Sequence, residues 1–152
     1  MKSIRHYEVC VLVTAVLCTA CGGGTGTSPS APTSTTSSSN PTVAFSATDL
    51  TVTTGAQAAN GDSLTVTYFG WLYDQAASEN KGLLFDSTSD GFTFVLGAGQ
   101  VITGWDQGLV GIRVGAKRRL IIPPSMAYGA SGAGSIPGNA TLLFEVVLVS
   151  IQ

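Results

Sequence analysis

Ser63-Leu64-Thr65-Val66-Thr67-Tyr68-Phe69-Gly70-Trp71-Leu72 places Leu64, Val66, Tyr68 and Leu72 on one face of an extended chain. A period of two is that of a strand with one side against a core. Outward from this stretch the same signal recurs: Arg118, Leu120 and Ile122 alternate with Lys117, Arg119 and Ile121. Thr141 to Ile151 is apolar or β-branched on both faces with Glu145 as its one charge, as in a central strand covered on one side and partly on the other. Phe92 to Leu96 reads as a further, shorter strand. Gly and Pro stand at the junctions: Gly91, Gly97-Ala98-Gly99, Gly115, Pro123-Pro124 and Gly129 to Gly138. One segment departs from the period of two. Thr103-Gly104-Trp105-Asp106 fits a capping box, and Trp105 and Leu109, four apart, would share the buried face of a short helix. The expected fold is α+β, an antiparallel five- to six-stranded sheet curled around one short helix, over residues 43–152.

Composition narrows the chemistry. The 152 residues are 44% apolar and 11% charged, enough for one core. Seven basic against nine acidic side chains give a net charge of −2, so there is no basic excess for a nucleic-acid partner. The single histidine is His6, and the cysteines are Cys10, Cys18 and Cys21. If that end is a targeting segment, the folded part has no imidazole and no thiol. Ser-His-Asp and Cys-His catalysis, thiol redox chemistry and ordinary zinc sites all need one or the other. No metal and no cofactor are expected. Asp86-Ser87-Thr88-Ser89-Asp90 lacks the glycine and distal glutamate of a calcium loop. Gly97-Ala98-Gly99 lacks the third small residue of a dinucleotide fingerprint, since Ile102 stands there.

The N-terminal end reads as an export signal. Lys2 and Arg5 precede the apolar run from Val9 to Ala20, which is shorter than the roughly 20 residues a spanning helix needs. Leu17-Cys18-Thr19-Ala20-Cys21-Gly22 resembles the lipobox of bacterial lipoproteins, with Cys18 where Leu, Val or Ile is preferred and Cys21 as the lipidated residue. Cleavage after Ala20 without lipidation is the competing reading, and a buried core helix the third. From Gly22 to Thr42 the chain is Ser, Thr, Gly and Pro apart from Ala31 and Asn40, so it cannot bury an apolar face. As a flexible tether its ends would lie roughly 25 Å apart. The expected organisation is a signal peptide (1–20), a lipidated Cys21 with its tether (21–42), and one folded domain (43–152). That describes an exported bacterial protein of the cell envelope, periplasmic or on the outer face, touching the membrane through lipid alone. Only Cys21 would survive cleavage, so no disulfide is available to the domain.

Six motifs in series then carry a resemblance: Tyr68-Phe69-Gly70-Trp71-Leu72; Phe85-Asp86-Ser87; Phe92 to Gly97; Val101-Ile102-Thr103-Gly104-Trp105-Asp106; Ala127-Tyr128-Gly129; and Ile136-Pro137 with Asn139 to Phe144. In order and spacing, nearly the whole of Leu50 to Gln152 resembles the FKBP-type peptidyl-prolyl cis-trans isomerases. The resemblance implies a proline pocket lined by Tyr68, Phe85, Phe92, Val101, Ile102, Trp105, Tyr128 and Phe144, with the Trp105 indole as its floor. Asp86 would be the carboxylate at the pocket's edge. The Ile102 N–H and the Tyr128 hydroxyl would donate to substrate carbonyls, and Ile136 would sit in an overhanging flap. Catalysis would fall to Asp86, Tyr128 and Ile102. The implied partners are proline-containing polypeptides and macrolides of the tacrolimus type, met by a monomer. The chain departs from the simplest members in a longer Asp74–Leu84 turn, a shorter Asp86–Phe92 segment, and a flap, Ser131 to Asn139, with Ala133 where histidine is common.

The chemistry agrees with the residue inventory. Rotation about X–Pro breaks no bond; it passes a twisted amide about 18–20 kcal/mol up, and twisting removes the resonance that makes the planar amide dipolar. A water-poor aromatic pocket therefore disfavours the planar ground state, which is catalysis by differential binding and requires neither His nor Cys. The rival is a catalytically weak module of the same fold, a chaperone-like or adhesive peptide binder. Taken singly, each aromatic reads as core; only the joint pattern reads as a site.

Overall fold

The computed structural model describes residues 43–152. The signal segment, Cys21 and the tether lie outside the described residues. Five strands form one antiparallel sheet: β1 (Ser46–Thr51), β2 (Ser63–Tyr73), β3 (Lys81–Val95), β4 (Lys117–Ile122) and β5 (Leu142–Ile151), in the order β1-β4-β5-β2-β3. One helix, α1 (Thr103–Gly108), packs on β4. Short 3-10 turns occupy Ser78–Asn80 and Pro124–Met126. Among the described residues no helix is long and apolar enough to cross a membrane.

β5 lies at the centre of the sheet, between β4 and β2, and is the run with apolar residues on both faces. Leu142, Phe144, Val146 and Leu148 are buried against the helix side together with Leu64 and Val66 of β2 and Leu120 and Ile122 of β4. On the opposite face Leu143 is fully buried as well, and Glu145 is covered by three cations, the Lys81 and Lys117 ammonium groups at 2.9 and 3.0 Å and the Arg119 guanidinium at 2.7 Å. A lone acid in a buried strand is tolerated because it is paired.

Helix α1 sits close to the sheet because two of its positions have no side chain. A Cβ on Gly104 would meet Ile122 Cγ2 at 2.4 Å, and one on Gly108 would meet Leu120 Cδ2 at 2.7 Å. Four apart, the two glycines lie on one face. That approach turns Trp105 and Leu109 into the core, where they are 4% and 0% exposed.

Three sequence expectations need correction. The capping box does not form: the N-cap is Ile102, in extended backbone, and Thr103 is already helical with no side-chain cap. The Asp106 carboxylate is drawn off by the Gly97 and Gly99 N–H groups, at 2.9 and 3.0 Å. The Asp74–Leu84 turn ends earlier, at Asn80, and the short strand from Phe92 is only the end of a 15-residue β3 whose ladder to β2 is interrupted at three places. On an edge strand, bulges absorb the polar Asp86–Asp90 stretch and erase the alternation that would have marked it. Strand β1 was not legible either, because five of its six residues are exposed.

Candidate active site

A cavity of about 370 Å³ opens between the sheet's inner face, α1 and the loops beside it. Its apolar wall begins with Tyr68 on β2, Phe92 on β3 and Phe144 on β5. Trp105 of α1 lies among them, its ring centroid 5.0 Å from Tyr68, 5.3 Å from Phe144 and 6.3 Å from Phe92, each edge to face. Edge-to-face pairs of this kind are worth about 0.5–1.5 kcal/mol each beyond area burial. They fix the indole plane relative to three strands. The Trp105 Nε1–H is buried with no hydrogen-bond partner among the described residues.

Gly70 makes the wall's second layer possible. A Cβ there would lie 2.8 Å from Phe144 and 2.9 Å from Phe85, so only glycine lets those two rings meet, at 5.6 Å and nearly perpendicular. Phe85 supports Phe144 and does not border the cavity. Ile136 also departs from its expected place. It is 8% exposed, part of the core cluster, and belongs to a tight hairpin closed by the paired Ala133 and Ile136 backbones at 2.8 and 3.0 Å. The hairpin turns its apolar side chain inward, leaving the polar turn to solvent.

The polar rim comes from four places. The Tyr68 hydroxyl donates to Asp86 Oδ2 at 2.6 Å, and the Ser87 N–H donates to Oδ1 at 2.9 Å. Burial pushes the Tyr68 hydroxyl well above the usual phenol range, and the hydrogen bond to Asp86 and its charge push it further. Val101 and Ile102 border the cavity where the chain enters α1. The Ile102 carbonyl accepts from the Trp105 and Asp106 N–H groups, whereas its own N–H has no acceptor among the described residues. Tyr128 borders the cavity from the loop after Pro124–Met126, held there by the Gly129 N–H donating to the Pro124 carbonyl at 2.8 Å. Gln100 was not singled out by sequence, and Asp106 was read there as part of a capping box. Gln100 borders the cavity and accepts from the Val95 N–H at 2.9 Å. Asp106 holds the Gly97–Gly99 turn that delivers Gln100, Val101 and Ile102. Only the glycine spacing hinted at that turn.

Among the described residues no group of histidine, cysteine, aspartate and glutamate is arranged to hold a metal. The site is an aromatic box with a few hydrogen-bonding groups at its mouth, able to bind a small apolar ring and to orient adjacent carbonyls.

A five-stranded antiparallel sheet packed on one short helix is the fold shared with the FKBP-type peptidyl-prolyl isomerases, as the comparisons with known proteins establish. Residues 54–149 match the family model described as FKBP-type peptidyl-prolyl cis-trans isomerase, and the chain belongs to that family. It is similar to the FK506-binding protein of Neisseria meningitidis serogroup C, 48% identical over 107 residues that cover 68% of this chain and 92% of that one. It is also similar to FK506-binding protein 2B of Rhizopus delemar, 55% identical over 97 residues, 61% of this chain but only 44% of that longer protein. A crystal structure of AtFKBP13 superimposes with a TM-score of 0.61 at 34% identity, covering 71% of this chain and 93% of that one.

Proposed function

We propose that this chain accelerates cis-trans rotation about X–Pro bonds in exported polypeptides, with the proline ring in the aromatic box. The observation that carries the reading is the packing of Tyr68, Phe92 and Phe144 edge-on around Trp105 beside the Asp86 carboxylate. An apolar, water-poor cavity destabilises the dipolar planar amide relative to the twisted one. Ile102 N–H and the Tyr128 hydroxyl are the donors for the carbonyls on either side, so that the chain is gripped while one bond turns. Asp86 orients Tyr68 and sets the polarity of the rim; no proton transfer is needed. A buried indole N–H without a partner costs about 1–3 kcal/mol, a cost that core packing does not by itself call for. Its presence supports a working role for that side chain.

The same reading has the domain outside a membrane, tethered through lipid on Cys21, on the strength of the N-terminal sequence alone, and acting as a monomer, as the family resemblance implies. Macrolides of the tacrolimus type would occupy the box in place of proline. The test is protease-coupled isomerisation of proline peptides by the full chain in excess chelator. Acceleration without metal or nucleotide supports the reading. Binding of the peptides without acceleration would favour a peptide-binding module.

A further inference from the structure

The charges of the domain are segregated. All five described cations lie away from the cavity. Lys81, Lys117 and Arg119 gather on Glu145 on the outer face of the sheet. Arg118 pairs with Asp49 of β1, and Arg113 donates to the Gly55 carbonyl. The mouth of the cavity carries the opposite sign. Asp86 borders it with both oxygens engaged only by neutral donors, the Tyr68 hydroxyl and the Ser87 N–H. Asp90 is exposed in the irregular part of the same edge strand, between Thr88 and the cavity residue Phe92, with only a 3.4 Å contact from Ser89 Oγ. Among the described residues no cation lies within ion-pairing distance of either carboxylate. Hydrogen bonds from a hydroxyl and an amide orient a carboxylate but do not cancel its charge.

We propose that this site selects proline segments carrying a lysine or arginine next to the proline, with Asp86 and Asp90 as the residues that set the preference. The inference rests on the isomerase reading above and deepens it. A cation held near the proline comes within the screening length of the rim, roughly 8 Å at physiological salt, with no protein cation there to repel it. A glutamate in the same position meets the uncompensated Asp86 carboxylate at the rim, with Asp90 further along the same strand adding to the repulsion. An exposed ion pair is worth up to a factor of about five, so the preference belongs in kcat/KM and fades as salt rises.

The experiment compares kcat/KM of the full chain for peptides identical except for Lys, Leu or Glu, placed first before and then after the proline. The expected result is a lysine-to-glutamate ratio of about fivefold or more at one of the two positions at low ionic strength. It should collapse toward one at molar salt, where screening acts over roughly 3 Å. Asp90→Asn and Asp86→Asn should each lower the ratio. Asp74→Asn, which makes the same change in net charge at the start of the β2–β3 connection and outside the cavity lining, should leave it intact. A leucine peptide turned over at the same rate as both charged ones overturns the preference alone. Equal loss of the ratio in all three variants assigns it to overall charge and overturns the role of Asp86 and Asp90. No turnover of any peptide overturns the isomerase reading and this inference with it.

Discussion

The Tyr68 hydroxyl donates a 2.6 Å hydrogen bond to Asp86 across the β2–β3 ladder, joining the deepest phenol of the cavity to the one carboxylate that borders it. The pair separates rim chemistry from core packing. Tyr68→Phe and Tyr128→Phe each remove one hydroxyl and keep the ring, and one hydrogen bond is worth about 0.5–1.5 kcal/mol. Each should lower kcat/KM by roughly three- to tenfold with the urea midpoint nearly unchanged. Asp86→Ala should cost more, because it removes the rim's charge as well as the Tyr68 acceptor. Burial and Asp86 hold the Tyr68 hydroxyl protonated beyond the usual phenol range, so its deprotonation should not appear in the rate profile around pH 10. Unchanged rates in all three variants would mean that the rim takes no part in the reaction.

Trp105 is 4% exposed and packs against four other rings, those of Tyr68, Phe92, Phe94 and Phe144, so its replacement reads differently with size. Trp105→Leu should destabilise the fold by up to roughly 3–5 kcal/mol, as truncations of large buried aromatics do. Trp105→Phe keeps an aromatic ring and removes the unpartnered indole N–H, so stability should fall far less while the isomerisation rate drops. Urea midpoints and rates measured on both variants separate the two effects. A Trp105→Phe protein with full activity would reduce the indole to core filling.

Much of this architecture was legible because its signals are local. Leu64, Val66 and Tyr68 alternate because β2 has one face in the core, and β5 is apolar on both faces apart from the ion-paired Glu145 and Ser150 near its end because it lies at the centre of the sheet. What escaped depends on distant partners. β3 is an edge strand whose bulges break the alternation, and β1 is held by pairing with β4 while most of its side chains face solvent. Asp106 looked like half of a capping box because nothing local reveals that the Gly97 and Gly99 amides reach it first. The aromatic residues at the site were named from the motif series, whereas Phe85, packed on Phe144 over Gly70, and Ile136, buried by the turn at Ala133–Ile136, do not border the cavity.

Glu145 makes stability depend on acid. Burial alone would raise its pKa, but hydrogen bonds from Arg119, Lys81 and Lys117 outweigh that and hold it at about 2, against 4.5 for an unperturbed glutamate. A depressed folded-state value contributes stability above the unfolded-state value and loses it as pH falls toward the folded one. Urea midpoints should therefore decline from about pH 4.5 down to about pH 2, with on the order of 1–3 kcal/mol at stake. Glu145→Gln should be destabilised near neutrality and show a flatter decline across that window. An unaltered slope would show that Glu145 is not the group responsible.

Cys21→Ser tests the tethering proposal. The variant should move from the membrane fraction to the soluble fraction and retain wild-type isomerase activity, since the Ser/Thr/Gly/Pro-rich stretch separates it from the domain in sequence. Membrane association that survives the substitution would point to a retained signal segment.

The central claim is that the cavity walled by Tyr68, Phe92 and Phe144 around Trp105 is where the X–Pro bond turns, and titrating tacrolimus into the isomerisation assay tests it most directly. The catalysed rate should fall to the spontaneous one as the macrolide reaches one equivalent. Acceleration that persists while the macrolide is bound, as read from quenching of tryptophan fluorescence, would contradict it.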